Sequence, residues 1–191
     1  MGAAAILGAA GFALMLLSEP GVLTKGGFKL LFPSGCLALV GATALMFIYS
    51  GFRGALDAVL LALGALSLLA ELYCLFFAVP FAESYVGGEA GRRVCDRGAY
   101  ALCRHPGVIF LFLTYVFWGL AALPDPRFLI LGAAFSVLDG LYALFQDRVS
   151  FPKIFSDYAA YRRAVPFLIP TKASFEAALR TAPSVRKKET K

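Results

Sequence analysis

Apolar residues run almost without a break along five stretches of the chain, 2–17, 34–50, 56–79, 106–123 and 127–146, and charged residues collect between and after them. The stretches show no alternation of the kind a half-buried strand requires. They are apolar on every side, as a helix surrounded by hydrocarbon must be. At 16 to 24 residues they are about as long as a helix needs to be to cross a bilayer core, roughly 17–25 residues. Pro20, Pro33, Pro80, Pro106 and Pro124 fall at or near most of the ends, where a helix is expected to stop or begin. The pattern predicts an all-α, polytopic integral membrane protein with about five transmembrane helices.

Composition sharpens this. Hydrophobic residues make up 60% of the 191 and charged ones only 16%, with a mean hydropathy of +0.76. A soluble domain carries roughly 45–50% and 25% respectively. Residues 1–17 have no Lys or Arg at their start, so the first stretch reads as a retained span rather than a secretory signal. With five spans the loops 18–33 and 80–105 share a side with everything after 146. Sixteen of the eighteen Lys and Arg fall there, against Arg53 and Arg127 opposite, so the C-terminus is expected to be cytoplasmic. That asymmetry accounts for the net charge of +6 without any nucleic-acid role. Cys36, Cys74, Cys95 and Cys103 form no C-x-x-C pair, and neither a disulfide framework nor a metal site is suggested.

Within the spans, Gly8, Gly11, Gly35 and Gly41 suit close helix contact. Glu71 and Asp139 are costly at membrane depth and call for a partner or a polar cavity. Three regions follow: 1–80 with three spans, 81–170 with two spans and a cytoplasmic polar region, and 171–191 as an amphipathic and basic tail. In the tail Phe175, Ala178, Leu179 and Ala182 recur at helical spacing, which predicts a short helix on the cytoplasmic leaflet. Arg186, Lys187, Lys188 and Lys191 end it as a membrane-facing charge run. Spans four and five, joined by Pro124 to Pro126, are expected to form an antiparallel hairpin. Its cytoplasmic ends bring Arg104-His105 toward Gln146-Asp147. Tyr158 and Tyr161, at i and i+3, are expected to pack their rings and leave their hydroxyls in water.

The stretch Gly98, Tyr100, Arg104, His105, Pro106 resembles the G-x-Y-x-x-x-R-H-P-x-Y motif of the isoprenylcysteine carboxyl methyltransferase and phospholipid methyltransferase superfamily, which opens a span. Asp147, Phe155, Tyr158, Tyr161, Val165, Pro166 and Pro170 stand in register with that superfamily's acidic pair, Phe-Gly, Y-x-x-Y and V-P-x-x-x-P. The resemblance covers roughly residues 90–170. Val108 replaces the tyrosine after R-H-P-x, Ser156 replaces the glycine, and Arg148 follows Asp147 where a second acid is usual. Apart from Arg127 at its start, span five has no arginine of the kind that prenylcysteine-specific relatives place there for the substrate carboxylate, and carries Asp139 instead, so the resemblance implies a small lipid or other amphiphile rather than a prenylated protein.

The resemblance implies methyl transfer from S-adenosylmethionine, bound on the cytoplasmic side, to an amphiphilic acceptor entering from the bilayer. It implies Val94, Tyr100, His105, Pro106, Gly107, Val108, Gln146 and Asp147 as cofactor-binding positions, with Asp147 near the cofactor's amino group. A carboxylate there would hold a cation strongly in a partly dry pocket. Arg104 would orient an anionic acceptor, and Asp147 or His105 could accept a proton from an amine. Two further readings stay open: a nicotinamide-dependent membrane reductase, since sterol reductases look similar over the same region but are larger, and a non-catalytic membrane module, which Arg148 and Val108 would suit.

Overall fold

The computed structural model describes residues 1–24, 30–52, 54–78 and 92–181. Lys25, Lys29, Arg53, Pro80, Ala182 and the basic end at 186–191 lie outside them. The regular secondary structure of the described residues is helical, apart from one isolated bridge between Arg92 and Phe155. The helices are α1 (Gly2–Thr24), α2 (Leu31–Ile48), α3 (Ala55–Phe76), α4 (Ala99–Leu102), α5 (Pro106–Ala121), α6 (Arg127–Phe145), α7 (Phe151–Ile154), α8 (Tyr158–Ala164) and α9 (Lys172–Thr181). A π-helical turn, Gln146–Ser150, joins α6 to α7.

Four helical segments are long and apolar enough to cross a membrane: Gly2–Glu19, Leu31–Ile48, Ala55–Phe76 and Arg127–Ile154. The fourth predicted span, α5, has 16 residues, short of the usual crossing length. Three boundaries also differ from expectation. α1 continues through Pro20 to Thr24, and α2 begins at Leu31. Pro33 therefore sits in a first turn, where an N–H has no intrahelical acceptor and its absence loses no hydrogen bond. The helix that starts at Arg127 continues past 146, but not as a regular α-helix. Pro152 has no N–H for the carbonyl of Arg148 and its ring crowds that carbonyl, which is where the turn widens.

The chain divides into two compact units, Met1–Ala70 with Phe110–Ile154, and Glu71–Ile109 with Phe155–Lys191. In the first, α1 packs on α2 and α6. A β-carbon on Gly35 would lie 2.6 Å from the Gly11 carbonyl oxygen, so α1 and α2 meet backbone to backbone, as the small residues suggested. Phe12, Met15, Met46, Tyr115, Trp118, Phe128 and Phe135 fill the core. Phe47 lies edge-on to both Trp118 and Phe128, with ring centres 4.8 and 5.3 Å apart.

Several polar groups in these helices find partners within the unit. Thr43 Oγ1 bonds the Leu39 carbonyl and the Tyr115 hydroxyl, and Trp118 Nε1 donates to the Leu61 carbonyl at 3.1 Å. Ser67 and Ser136 donate to carbonyls four residues back. Large apolar side chains including Ile6, Leu37, Val40, Leu66, Ile130 and Val137 point outward.

Candidate functional site

The second unit contains the Gly98–Val108 segment and the part of the second motif from Phe155 to Pro170, and locks them together. Gly98 has φ 56° and ψ −125°, a conformation that a residue with a β-carbon rarely adopts, and it turns the chain into α4. After α4 the chain extends at Cys103 and re-enters a helix at Pro106, whose fixed φ and missing N–H suit the first helical position. Between these points 103–105 runs beside 165–167. Arg104 N–H donates to the Pro166 carbonyl at 2.9 Å, and His105 N–H to the Phe167 carbonyl at 3.3 Å.

The Arg104 guanidinium continues the same seam. Its Nη1 donates to the carbonyls of Arg162 at 3.0 Å and Val165 at 2.6 Å, placing a cation on the exposed carbonyls that end α8. Its central carbon lies 5.6 Å from the Phe167 ring centre, and the His105 ring meets the same phenyl at 5.0 Å. Arg104 thus acts in this unit as a clamp. Its sequence-based role in orienting an acceptor has to share the guanidinium with two backbone carbonyls.

The tyrosines add a second seam. Tyr158 and Tyr161 pack their rings 5.9 Å apart, as expected. The Tyr161 hydroxyl is not left to water, however: it donates to the Tyr100 carbonyl at 2.7 Å. Burial, with Tyr158 and Tyr100 alongside, pushes this phenol well above its ordinary range and keeps it a donor. The Tyr100 hydroxyl in turn reaches the Cys74 carbonyl at 3.1 Å. Val94, another predicted cofactor position, donates its N–H to Asp157 at 3.0 Å, and Arg93 Nε reaches the same carboxylate at 3.3 Å.

His105 is 8% exposed, Pro106 is buried, and Gly107 and Val108 are half-buried. A β-carbon on Gly107 would stand 4.0 Å from Glu71 Cγ and from Leu75 Cδ2. The structure therefore brings the Glu71 side chain to the Arg104–Val108 segment, a pairing that a separation of 36 residues hid. The signal was there as an acid near the end of an apolar run.

Cys103, beside this segment, has no exposed surface. Burial outweighs the His105 N–H and the nearby Arg104 charge and raises its thiol to about 11 from 9.0. Between these values the folded chain keeps a proton that the unfolded chain has lost, so this group's contribution to stability is complete below pH 9 and fades toward pH 11. At pH 8 Cys103 is expected to resist maleimide in the native protein and to react after denaturation. Peptide mass spectrometry of the alkylated sites checks this.

Gln146 and Asp147 belong to the first unit, on the π-helical turn. The Gln146 amide nitrogen donates to Glu19 at 2.9 Å and to the Tyr142 hydroxyl at 3.0 Å, while that hydroxyl donates to Glu19 at 2.5 Å. The first of these bonds ties the turn to α1 and the second holds it to α6. Asp147 is 2% exposed and Ser150 is fully buried, and the Ser150 hydroxyl has no hydrogen-bond partner among the described residues. Arg148, the departure from the acidic pair, is exposed. It leaves the buried side of the turn to Asp147.

No family model matches the chain, and neither a curated protein nor a solved structure does.

Proposed function

We propose that the chain is a five-span membrane enzyme, cytoplasmic at its C-terminus, that transfers a methyl group from S-adenosylmethionine to a lipid-like acceptor entering from the bilayer. The observation that carries this reading is the seam between 103–105 and 165–167. Two sequence motifs sixty residues apart, each resembling part of one methyltransferase superfamily, fold as a single piece. The outward apolar side chains of the four long helices suit lipid contact. At roughly 1.5 Å per residue α5 covers about 24 Å, and a short tilt-free helix of this kind spans with local thinning of the bilayer. The unequal distribution of Lys and Arg supports the orientation.

The side chains around Gly107 suit the cofactor. Glu71 offers a carboxylate for an ammonium group, His105 and Tyr100 offer ring faces and polar edges, and Leu75 and Val108 offer apolar surface. We assign Glu71 to this role. When bound, the cofactor supplies a methyl group on a sulfonium, already activated for displacement.

The protein's share is then mainly orientation, which can contribute up to roughly 7–11 kcal/mol. Arg104 serves as a positioning residue, holding His105 against Phe167 through the Val165 carbonyl. His105 can take the proton of an amine acceptor, whereas a carboxylate or thiolate acceptor requires no base.

Full-length protein in vesicles made from a total lipid extract, given cofactor labelled in its methyl group, is expected to move label into the organic phase. Glu71→Gln should reduce this at least about tenfold, the effect of losing one charged contact in a dry site. Cofactor binding without transfer to any lipid fraction would instead support a non-catalytic module, and label-free turnover of a reduced nicotinamide would support a reductase.

A further inference from the structure

Helix α9 buries its small residues and exposes its large ones. Ser174 is 4% exposed and Ala177 and Ala178 are half-buried, whereas Phe175 is 54% and Leu179 64% exposed. At 100° per residue, Ser174, Ala177 and Ala178 form one stripe, Phe175 and Leu179 a second beside it, and Lys172, Glu176 and Arg180 a third. Only the first faces the rest of the second unit, where α9 packs on α4. Ile169, just before the helix, is 83% exposed and extends the apolar surface.

The arrangement is fixed at both ends. Thr171 and Ser174 cap the helix reciprocally, Thr171 N–H to Ser174 Oγ at 2.9 Å and Ser174 N–H to Thr171 Oγ1 at 3.2 Å. At the other end Gly98 N–H donates to Thr181 Oγ1 at 3.1 Å. The helix cannot roll to hide Phe175 and Leu179 without breaking the Gly98–Thr181 bond and uncovering Ser174. The apolar stripe is presented outward by the fold.

We propose that α9 is an interfacial helix that seats Ile169, Phe175 and Leu179 in the acyl boundary of an anionic leaflet, with Lys172 and Arg180 at the headgroups. Charge selects this occupant. Glu176 lies 3.7 Å from Arg180 and offsets part of its charge, but Lys172 flanks the stripe on the same side and the sequence continues into Arg186, Lys187, Lys188 and Lys191. Size argues against a second copy of the chain, because three side chains fall far short of the roughly 800 Å² per partner that a stable interface buries. The inference goes beyond the methyltransferase reading and stands or falls without it.

The test uses tryptophan variants of the full chain in phosphatidylcholine–phosphatidylglycerol vesicles with brominated acyl chains, corrected for the native Trp118. Phe175→Trp and Leu179→Trp should be quenched at least about threefold more than Ala173→Trp, which lies on the far side of the charged stripe, as an interfacial helix at shallow depth requires. The double reversal Lys172→Glu with Arg180→Glu should lower that quenching in the mixed vesicles and leave it unchanged in phosphatidylcholine alone. Equally weak quenching at 173, 175 and 179 would overturn the proposal by placing the helix in water, and equally strong quenching would overturn it by placing the helix wholly among the acyl chains. Blue-shifted but unquenched emission at 175 and 179 would overturn it too, because it places a protein surface there.

Discussion

Arg104→Ala is expected to separate the 103–105 segment from the end of α8 and to destabilise the second unit by about 2–4 kcal/mol. Two charge-assisted hydrogen bonds are lost, each worth about 1.5–3 kcal/mol, and the one to Arg162 is discounted because it lies near solvent. The Val165 carbonyl, on a residue with little exposure, is left without this donor. Arg104→Lys should recover less than half, since an ammonium cannot reproduce a planar fork resting on a phenyl ring. Hydrogen exchange checks this directly: amides of 158–167 should lose protection in both variants while those of α1 and α2 do not. Unchanged protection at 158–167 would show that the clamp carries no stability and would return Arg104 to a purely chemical role.

Gly35→Leu is expected to have the larger effect on the first unit. A β-carbon there already falls 2.6 Å from both the Gly11 carbonyl oxygen and Met15 Cγ, and a backbone oxygen cannot swing aside. Overpacking ordinarily costs about 1–3 kcal/mol, and here the cost should reach the top of that range or exceed it, because α1 must move off α2. The Cys36 thiol, whose sulfur lies 3.9 Å from that of Met15, offers a local reporter. Its alkylation in detergent should accelerate in Gly35→Leu and remain at the wild-type rate in Gly41→Leu, where the nearest neighbour is the flexible end of Leu7 at 3.2 Å.

The helices were legible because uniform apolar runs leave the backbone no other way to satisfy its hydrogen bonds in hydrocarbon. Pro106 marked the start of α5 for a local reason, and Gly11 and Gly35 marked a close crossing. What stayed hidden depended on distant partners. Gln146 could not be paired in advance with Glu19, 127 residues away. Arg104 read as a free cation because nothing local shows that α8 ends on its guanidinium.

Pro20 misleads, because it sits within α1 without ending it. In α9 the periodicity grouped Phe175, Ala178, Leu179 and Ala182; of these Phe175 and Leu179 share an exposed face, Ala178 is half-buried, and Ala182 lies outside the described residues. Periodicity identifies which residues share a face, however, and not which face the fold covers.

The central claim is tested most directly by calorimetric titration of the folded, detergent-purified full chain with S-adenosylmethionine, S-adenosylhomocysteine and a reduced nicotinamide dinucleotide, alongside His105→Gln. The account predicts saturable micromolar binding of the first two, weakened at least about tenfold in His105→Gln by loss of a contact in a buried site, and none of the third. Absence of binding by protein whose helical circular dichroism and Cys103 protection are intact would contradict it, as would preferential binding of the nicotinamide.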